Sequence, residues 1–501
     1  MSRKLPIFYS ALLLTAVNLF LRFAGTSFQV YLSGRIGAEG IGLLQLVMSV
    51  GSFSMIAGIA GIRTATMYLT AEEIGKQRTH NIPWILSSCF LYSILCSGFI
   101  SFCLYLLAPV LASHWICNSQ AAIALRVFAA CLPVSCLCSV MTGYFTAANK
   151  IGTLAAVEVA EQITSMMISM YLLTVWGKGD AIRACISLIL GSFTGSVLTL
   201  VCLIHLHQRG QIHPGTAIDV FPRIKTTAVP LAFADILRSG ISTVENLIVP
   251  KRLALNTHVA NPLAVFGTVC GMVFPVLMFP ACILFGLAEL LIPELSRCNA
   301  ASKSIRIRYL VQRSLKITLL YGLFISGLLY LFAENLCTAF YDSKDAGIYL
   351  KKYALLAPML YCDIIVDSMI KGLGKQKRSV FYNILTSTID VAMLFVLLPD
   401  YGMDGYFLSF LISHVINFIL SLTLLLKISQ STITVQIPLY SILSTLLSLS
   451  ACSFFDNIIS RITVYILLIF SLLSILDVVR KEDIQWMKSI ISKEKNFVPA
   501  T

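Results

Sequence analysis

The sequence predicts an all-α, polytopic membrane protein of about 14 transmembrane helices, arranged as two parallel six-helix repeats followed by two C-terminal helices. Three observations predict it: an apolar composition, a series of long apolar runs, and a correspondence between the two halves of the chain. Of 501 residues, 57% are hydrophobic and only 12% charged, which excludes an ordinary soluble domain. Fourteen apolar runs fall at about 6–33, 41–70, 83–110, 122–148, 152–175, 182–206, 228–250, 262–292, 314–333, 346–370, 379–399, 403–426, 435–454 and 459–478. Each can cross a hydrocarbon core of about 30 Å, which takes roughly 20 helical residues. Backbone groups in lipid must pair within their own segment, so the runs are helices. They lack the short alternation of a membrane barrel.

Basic residues set the orientation. With the N-terminus inside, the inner loops and adjoining span ends hold 24 Lys and Arg, and the outer ones hold 9. That asymmetry predicts a multi-pass cell-membrane protein with both termini cytoplasmic. It also accounts for most of the +13 net charge, so no nucleic-acid partner is expected. Ser2-Arg3-Lys4 precedes a run too long for a signal-peptide core, and the first span reads as a signal anchor. The tail 479–501 carries Trp486, Ile490 and Ile491 among Lys and Glu. It lies on the inner membrane face or is simply solvated.

The halves correspond in two blocks, each aligned without a gap. In one, LYLLAPVL (104–111) matches LYLFAENL (329–336), and Arg126, Ala129 and Pro133 match Lys351, Ala354 and Pro358 in the same register. In the other, Leu21, Arg22, Ser27 and Gln29 match Leu237, Arg238, Thr243 and Glu245. A six-span unit returns the chain to its starting side, so the two units insert in the same direction with a substrate path between them. The expected domains are 1–210, 211–430, the extra helix pair 431–478, and the tail 479–501.

Arg22 and Arg238 lie inside apolar spans, where a full charge costs about 2.5–3.5 kcal/mol on insertion scales. Such residues face protein or a wet cavity. Asn18, Arg22 and Gln29 share one face of the first span, as Asp235, Arg238, Ser242 and Glu245 do in the seventh. Guanidinium stays charged and offers paired donors to an anion. The two arginines are therefore candidates to receive phosphate oxygens; the alternative for Arg238 is a structural pair with Asp235. Arg63 either guards a cytoplasmic entrance or snorkels to headgroups. Glu158, Glu161, Asp363, Asp367 and Asp390 are candidate coupling or ion-pair carboxylates for Na+ or H+.

Other chemistry is not signalled. There is no phosphate-cradling G-x-x-x-x-G-K-[ST] loop and no H-E-x-x-H. His205, His207 and His213 share a loop but read as ordinary polar residues. The fifteen cysteines include no C-x-x-C and read as small packing residues. Neither an enzyme, a cofactor nor a resident metal is expected. Pro275, Pro280, Gly271 and Gly286 in the eighth span, with Gly58 and Gly61 in the second, permit bends or close packing.

The stretches RIGAEGIGLLQLVMSV (35–50) and AGIAGIRTATMYLTAEE (57–73) resemble the stage V sporulation protein B group of polysaccharide-biosynthesis proteins. That group belongs to the multidrug/oligosaccharidyl-lipid/polysaccharide flippase superfamily, related to lipid II flippases. The resemblance implies alternating-access flipping of a polyprenyl-pyrophosphate-linked saccharide, a peptidoglycan precursor such as lipid II. It implies Arg22, Arg63 and Arg238 as cavity arginines, and spans 13 and 14 as a groove for the polyprenyl tail. The implied partners are the lipid-linked oligosaccharide, membrane lipids and cell-wall synthases; the setting is sporulation. The alternatives are a cation-coupled multidrug exporter and a non-transporting scaffold for cell-wall synthesis.

Overall fold

Lipid leaves a backbone no partner but itself, and the described residues form helices with no strand among them. The computed structural model describes residues 7–176, 180–208, 221–432, 436–455, 457–476 and 478. In the first half, α1 (Ile7–Ile59), α2 (Ile62–Gly75), α3 (Ile82–Val110), α4 (Ala121–Ala147), α5 (Ile151–Trp176) and α6 (Ala181–Gln208) follow one another. The second half holds α7 (Phe221–Leu253), α8 (Pro262–Thr268), α9 (Phe274–Met278), α10 (Cys282–Ala300), α11 (Ser304–Tyr341), α12 (Lys344–Ala354), α13 (Ala357–Gly372) and α14 (Gln376–Ser429). Two more helices, α15 (Gln436–Cys452) and α16 (Ile458–Ile475), complete the set.

Among the described residues, seven helical stretches are long and apolar enough to cross a membrane, or nine if each of two bent pairs is one span. Two of the seven, Leu19–Gly75 and Gln376–Ser429, contain 57 and 54 residues, about 80 Å or more of straight helix. Neither is straight. Gly37 (φ 69°) breaks α1 and Gly402 (φ 57°) breaks α14. Gln29 and Ile41, on either side of Gly37, both reach Gly271, though a straight helix would hold them about 18 Å apart. Likewise Ser409 donates to the Asp390 carbonyl at 3.1 Å across the Gly402 break. Each stretch is a helical hairpin, and the segments are consistent with fourteen spans. A Cβ on Gly37 would meet nothing within 4 Å; the left-handed φ, not crowding, is what calls for glycine there.

Prolines set the other bends, and the carbonyls they release find side-chain donors. A proline cannot donate to the carbonyl four residues back. Pro275 leaves the Gly271 carbonyl unpaired, and Gln29 Nε2 donates to it at 3.1 Å. A π-turn spans Val269–Val273, and the helix then bends by 61° between Pro262–Met278 and Cys282–Ala300. The hydroxyls of Tyr361 and Tyr321 donate to the Leu277 and Pro280 carbonyls at 2.6 and 2.7 Å. In the tenth span, α12 and α13 meet at 58°. There Pro358 releases the Ala354 carbonyl, and Ser326 Oγ donates to it at 2.7 Å. In α4, Pro133 releases the Ala129 carbonyl, and Ser101 Oγ donates to it at 2.5 Å. The two Ser–Ala–Pro sets occupy matching positions in the two halves, with identical internal spacing. The helix stays continuous at Pro133 and breaks before Pro358.

Packing follows the two halves. In the first, α5 lies on α6, α3 on α4, and α4 on α2 and α6; in the second, α11 lies on α12 and α13, and α13 on α10 and α14. Helices α1 and α2 meet α7, α8 and α10 across the seam. Glycine makes the closest approach possible: a Cβ on Gly267 would sit 2.0 Å from the Ala38 carbonyl, and one on Gly42 would sit 2.2 Å from that of Leu263. Polar bonds tie the seam as well. Asn246 Nδ2 donates to Ser49 Oγ at 2.8 Å, and Arg223 pairs with Glu72 at 2.6 Å and Glu73 at 3.2 Å. Helices α15 and α16 pair with each other and lean on α11.

Candidate functional site

Arg22 and Arg238 are both exposed, on α1 and α7, inside runs otherwise built for lipid. The Arg22 guanidinium lies 4.0 Å from the centre of the Phe285 ring of α10. That cation–π contact supports the charge without neutralising it. On α7, Asp235, Arg238 and Ser242 are exposed along one face. No ion pair joins Asp235 to Arg238 among the described residues. Arg238 instead lies within Coulombic reach of Asp363 on α13. Arg63 on α2 is exposed and within Coulombic reach of Glu158 on α5. None of the three arginines is in an ion pair among the described residues. Gln29 differs, because its amide is held by the Gly271 carbonyl at the broken eighth span.

The carboxylates separate into distinct settings. Glu245, one turn beyond Ser242, lies beside Asp390 of α14. Asp390 is 3% exposed and also accepts the Ser409 hydroxyl. Two carboxylates sharing one site repel, and a proton or small cation between them relieves that repulsion. His414 stacks on Phe410 nearby, with ring centres 3.9 Å apart. Asp363 accepts Asn417 Nδ2 at 3.2 and 3.3 Å. Asp367 is neutralised locally by Lys371 at 2.6 Å and accepts the Ser379 hydroxyl. Glu161 accepts Thr199 at 2.8 Å and Ser196 at 3.2 Å. Among the described residues no group of three or more His, Cys, Asp and Glu is arranged to hold a metal ion.

Asp363 and Asp367, four residues apart on one helix face, have different partners. Helical spacing does not pair Glu245 with Asp390, because Asp390 is remote in the chain and only the α7–α14 packing brings them together. Ser409, His414 and Asn417 were missed, although each is a polar residue inside an apolar run. His207 packs edge-on against Tyr144, ring centres 4.7 Å apart. The Asn18 side chain, His213 and the tail 479–501 lie outside the described residues.

A cavity of about 780 Å³ opens beside this face, lined by Val50 and Phe53 of α1, Leu107 of α3, Ile236 and Leu247 of α7, and Thr388 of α14. Its hydroxyls are satisfied internally: Ser54 donates to the Val50 carbonyl at 2.9 Å, Thr243 to the Ser49 carbonyl at 3.2 Å and Thr388 to the Ile384 carbonyl at 2.8 Å. The walls suit hydrocarbon rather than a polar solute.

The family model described as MatE matches residues 15–171 and 230–396, one segment in each half of the chain. The chain is 22% identical over 443 residues to stage V sporulation protein B of Bacillus subtilis (strain 168), covering 85% of this chain and 84% of that protein. Its fold is similar to that of lipid II flippase MurJ in an inward closed conformation. There the TM-score is 0.72, with 17% identity, 96% of this chain and 100% of the other. It is also similar to an inward-facing multidrug resistance MATE family transporter, with TM-score 0.66, 13% identity, 83% of this chain and 99% of the other.

Proposed function

This chain belongs to the MatE family, and on that premise we propose that it is a flippase for a polyprenyl-pyrophosphate-linked saccharide, a peptidoglycan precursor such as lipid II. It is a multi-pass membrane transporter or flippase, not an enzyme. The observation that carries the finer reading is the pair Arg22 and Arg238, exposed on seam helices within apolar spans. The seam lies between two six-span bundles, 1–210 and 211–430. The matched Ser–Ala–Pro bonds and the twofold family match support that division.

Arg22, Arg238 and Arg63 receive the pyrophosphate, with Ser242 beside it. The head crosses between the bundles by alternating access. The tail stays in lipid, against the groove of α15 and α16. Glu245 and Asp390 exchange a proton or Na+ as the bundles rock. Both termini lie in the cytoplasm, and cell-wall synthases supply or consume the cargo.

The test is movement of fluorescent lipid-linked precursors in proteoliposomes by the wild type and by Arg22→Ala/Arg238→Ala. Wild-type movement lost in the double variant supports a cationic head site. Undiminished movement in a folded double variant overturns it. A second reading, cation-coupled export of small organic molecules, is favoured by the Glu245–Asp390 pair; it predicts cation-driven dye efflux with no precursor movement.

A further inference from the structure

The second-half cation–aromatic pair has become part of a pocket that its first-half counterpart lacks the helices to form. Arg126 lies 5.2 Å from the Tyr105 ring centre, and Lys351, its second-half equivalent, lies 5.1 Å from that of Tyr330. Arg126 is exposed. Beside Lys351, however, stand α15 and α16, which pack on α11 and make no comparable packing with α3. They close a pocket of about 500 Å³, whose lining includes Tyr330, Lys351, Leu355, Leu446, Leu449 and Arg461.

Two cations line this pocket and no carboxylate does. Neighbouring Lys352 pairs with Asp404 at 2.6 Å, but neither Lys351 nor Arg461 is in an ion pair among the described residues. Arg461 Nε donates to the Phe455 carbonyl at 2.5 Å, which orients the guanidinium and leaves its terminal nitrogens for a ligand. Ser450 and Ser453 donate their hydroxyls to carbonyls within the α15 end, so the two basic groups are the donors on offer. Below them Leu355 and Leu446 are more than half exposed, at 55% and 57%. The pocket sits where α12 gives way to α13 and α15 turns into α16, at helix ends, where a headgroup meets the hydrocarbon.

We infer that this pocket binds an anionic phospholipid, its phosphate held by Lys351 and Arg461 and its chain laid along Leu355, Leu446 and Leu449. The site is separate from the cargo's head site, because none of these residues belongs to the arginine face of α1 and α7; it borders the α15–α16 groove proposed for the cargo's tail. The shared chemistry is a phosphate, and the leucine floor distinguishes a lipid from the free ion.

Native mass spectrometry of the full chain in detergent tests it, with phosphatidylglycerol, phosphatidylcholine and inorganic phosphate as probes. The wild type should retain phosphatidylglycerol at least about tenfold more strongly than phosphatidylcholine. Lys351→Gln/Arg461→Gln should lose that preference, Lys351→Arg should keep it, and Arg126→Gln should leave it unchanged. Equal retention of the two lipids by the wild type overturns the inference, and this arm needs no variant to fold. So does an unchanged preference in a folded double variant, an equal loss in Arg126→Gln, or displacement by millimolar inorganic phosphate.

Discussion

Ser326 donates its hydroxyl to the Ala354 carbonyl at 2.7 Å, the carbonyl that Pro358 cannot reach. Ser101 does the same for Ala129 ahead of Pro133, at 2.5 Å. In lipid no water substitutes for a missing donor, so each serine answers a deficit created by its own proline.

Removing Ser326 should therefore matter only while the proline is present. Ser326→Ala should destabilise the detergent-solubilised protein by about 1–2 kcal/mol. In a Pro358→Ala background the helix amide takes the carbonyl, and the serine should become nearly neutral. A double-mutant cycle by reversible denaturation measures the coupling; an equal cost in both backgrounds contradicts the pairing.

Arg22→Ala and Arg238→Ala should each reduce precursor flipping at least about tenfold, the loss of one charge-assisted contact, at unchanged abundance in the membrane. Arg238→Lys should recover part of the rate, since it keeps charge but not the planar fork. Proteoliposome rates, normalised to reconstituted protein, decide it. Equal rates for Arg238→Lys and Arg238→Ala would show that charge is not what the site uses.

Glu245→Gln and Asp390→Asn each keep the shape of the carboxyl pair and remove its capacity to exchange a cation. Both variants should fold, bind precursor, and lose the dependence of transport on an imposed Na+ or proton gradient. Gradient-jump assays on the two variants check this. A retained gradient response moves the coupling role to Asp363.

Arg223→Ala should cost about 1–2 kcal/mol: Glu73, with only 4% of its side chain exposed, would lose its cation, while Arg223 itself is 37% exposed and screened by solvent. Asn81 still donates to Glu73 at 2.8 Å, so Glu73→Gln on top of Arg223→Ala should regain most of the loss. Glu72→Gln should not, its side chain being 43% exposed. Unfolding midpoints of the three variants separate these outcomes.

The helical architecture was legible because lipid allows the sequence few choices. Length, apolarity and the Pro133/Pro358 correspondence are local or evenly spaced signals. The eighth-span bend followed from Pro275 and Pro280. The break ahead of Pro358 did not, because Pro133 in the same register leaves α4 continuous. The face of Arg238 could be placed from helical periodicity alone. Its remote neighbour could not: Asp363, distant in the chain, comes within Coulombic reach of Arg238 only through the packing of the helices. Glu245 and Asp390 meet only through the docking of α7 on α14, and helical spacing carries no information about which helix lies opposite.

Gly37 and Gly402 turn the chain in a single residue, and this bears on how the protein can be probed. A reversal that short offers a protease no extended peptide and an antibody no epitope. An epitope tag placed at 37 would have to pull apart the contacts of Gln29 and Ile41 with Gly271. Sidedness is better mapped from Cys117, an exposed thiol in the connection between α3 and α4, with a membrane-impermeant maleimide.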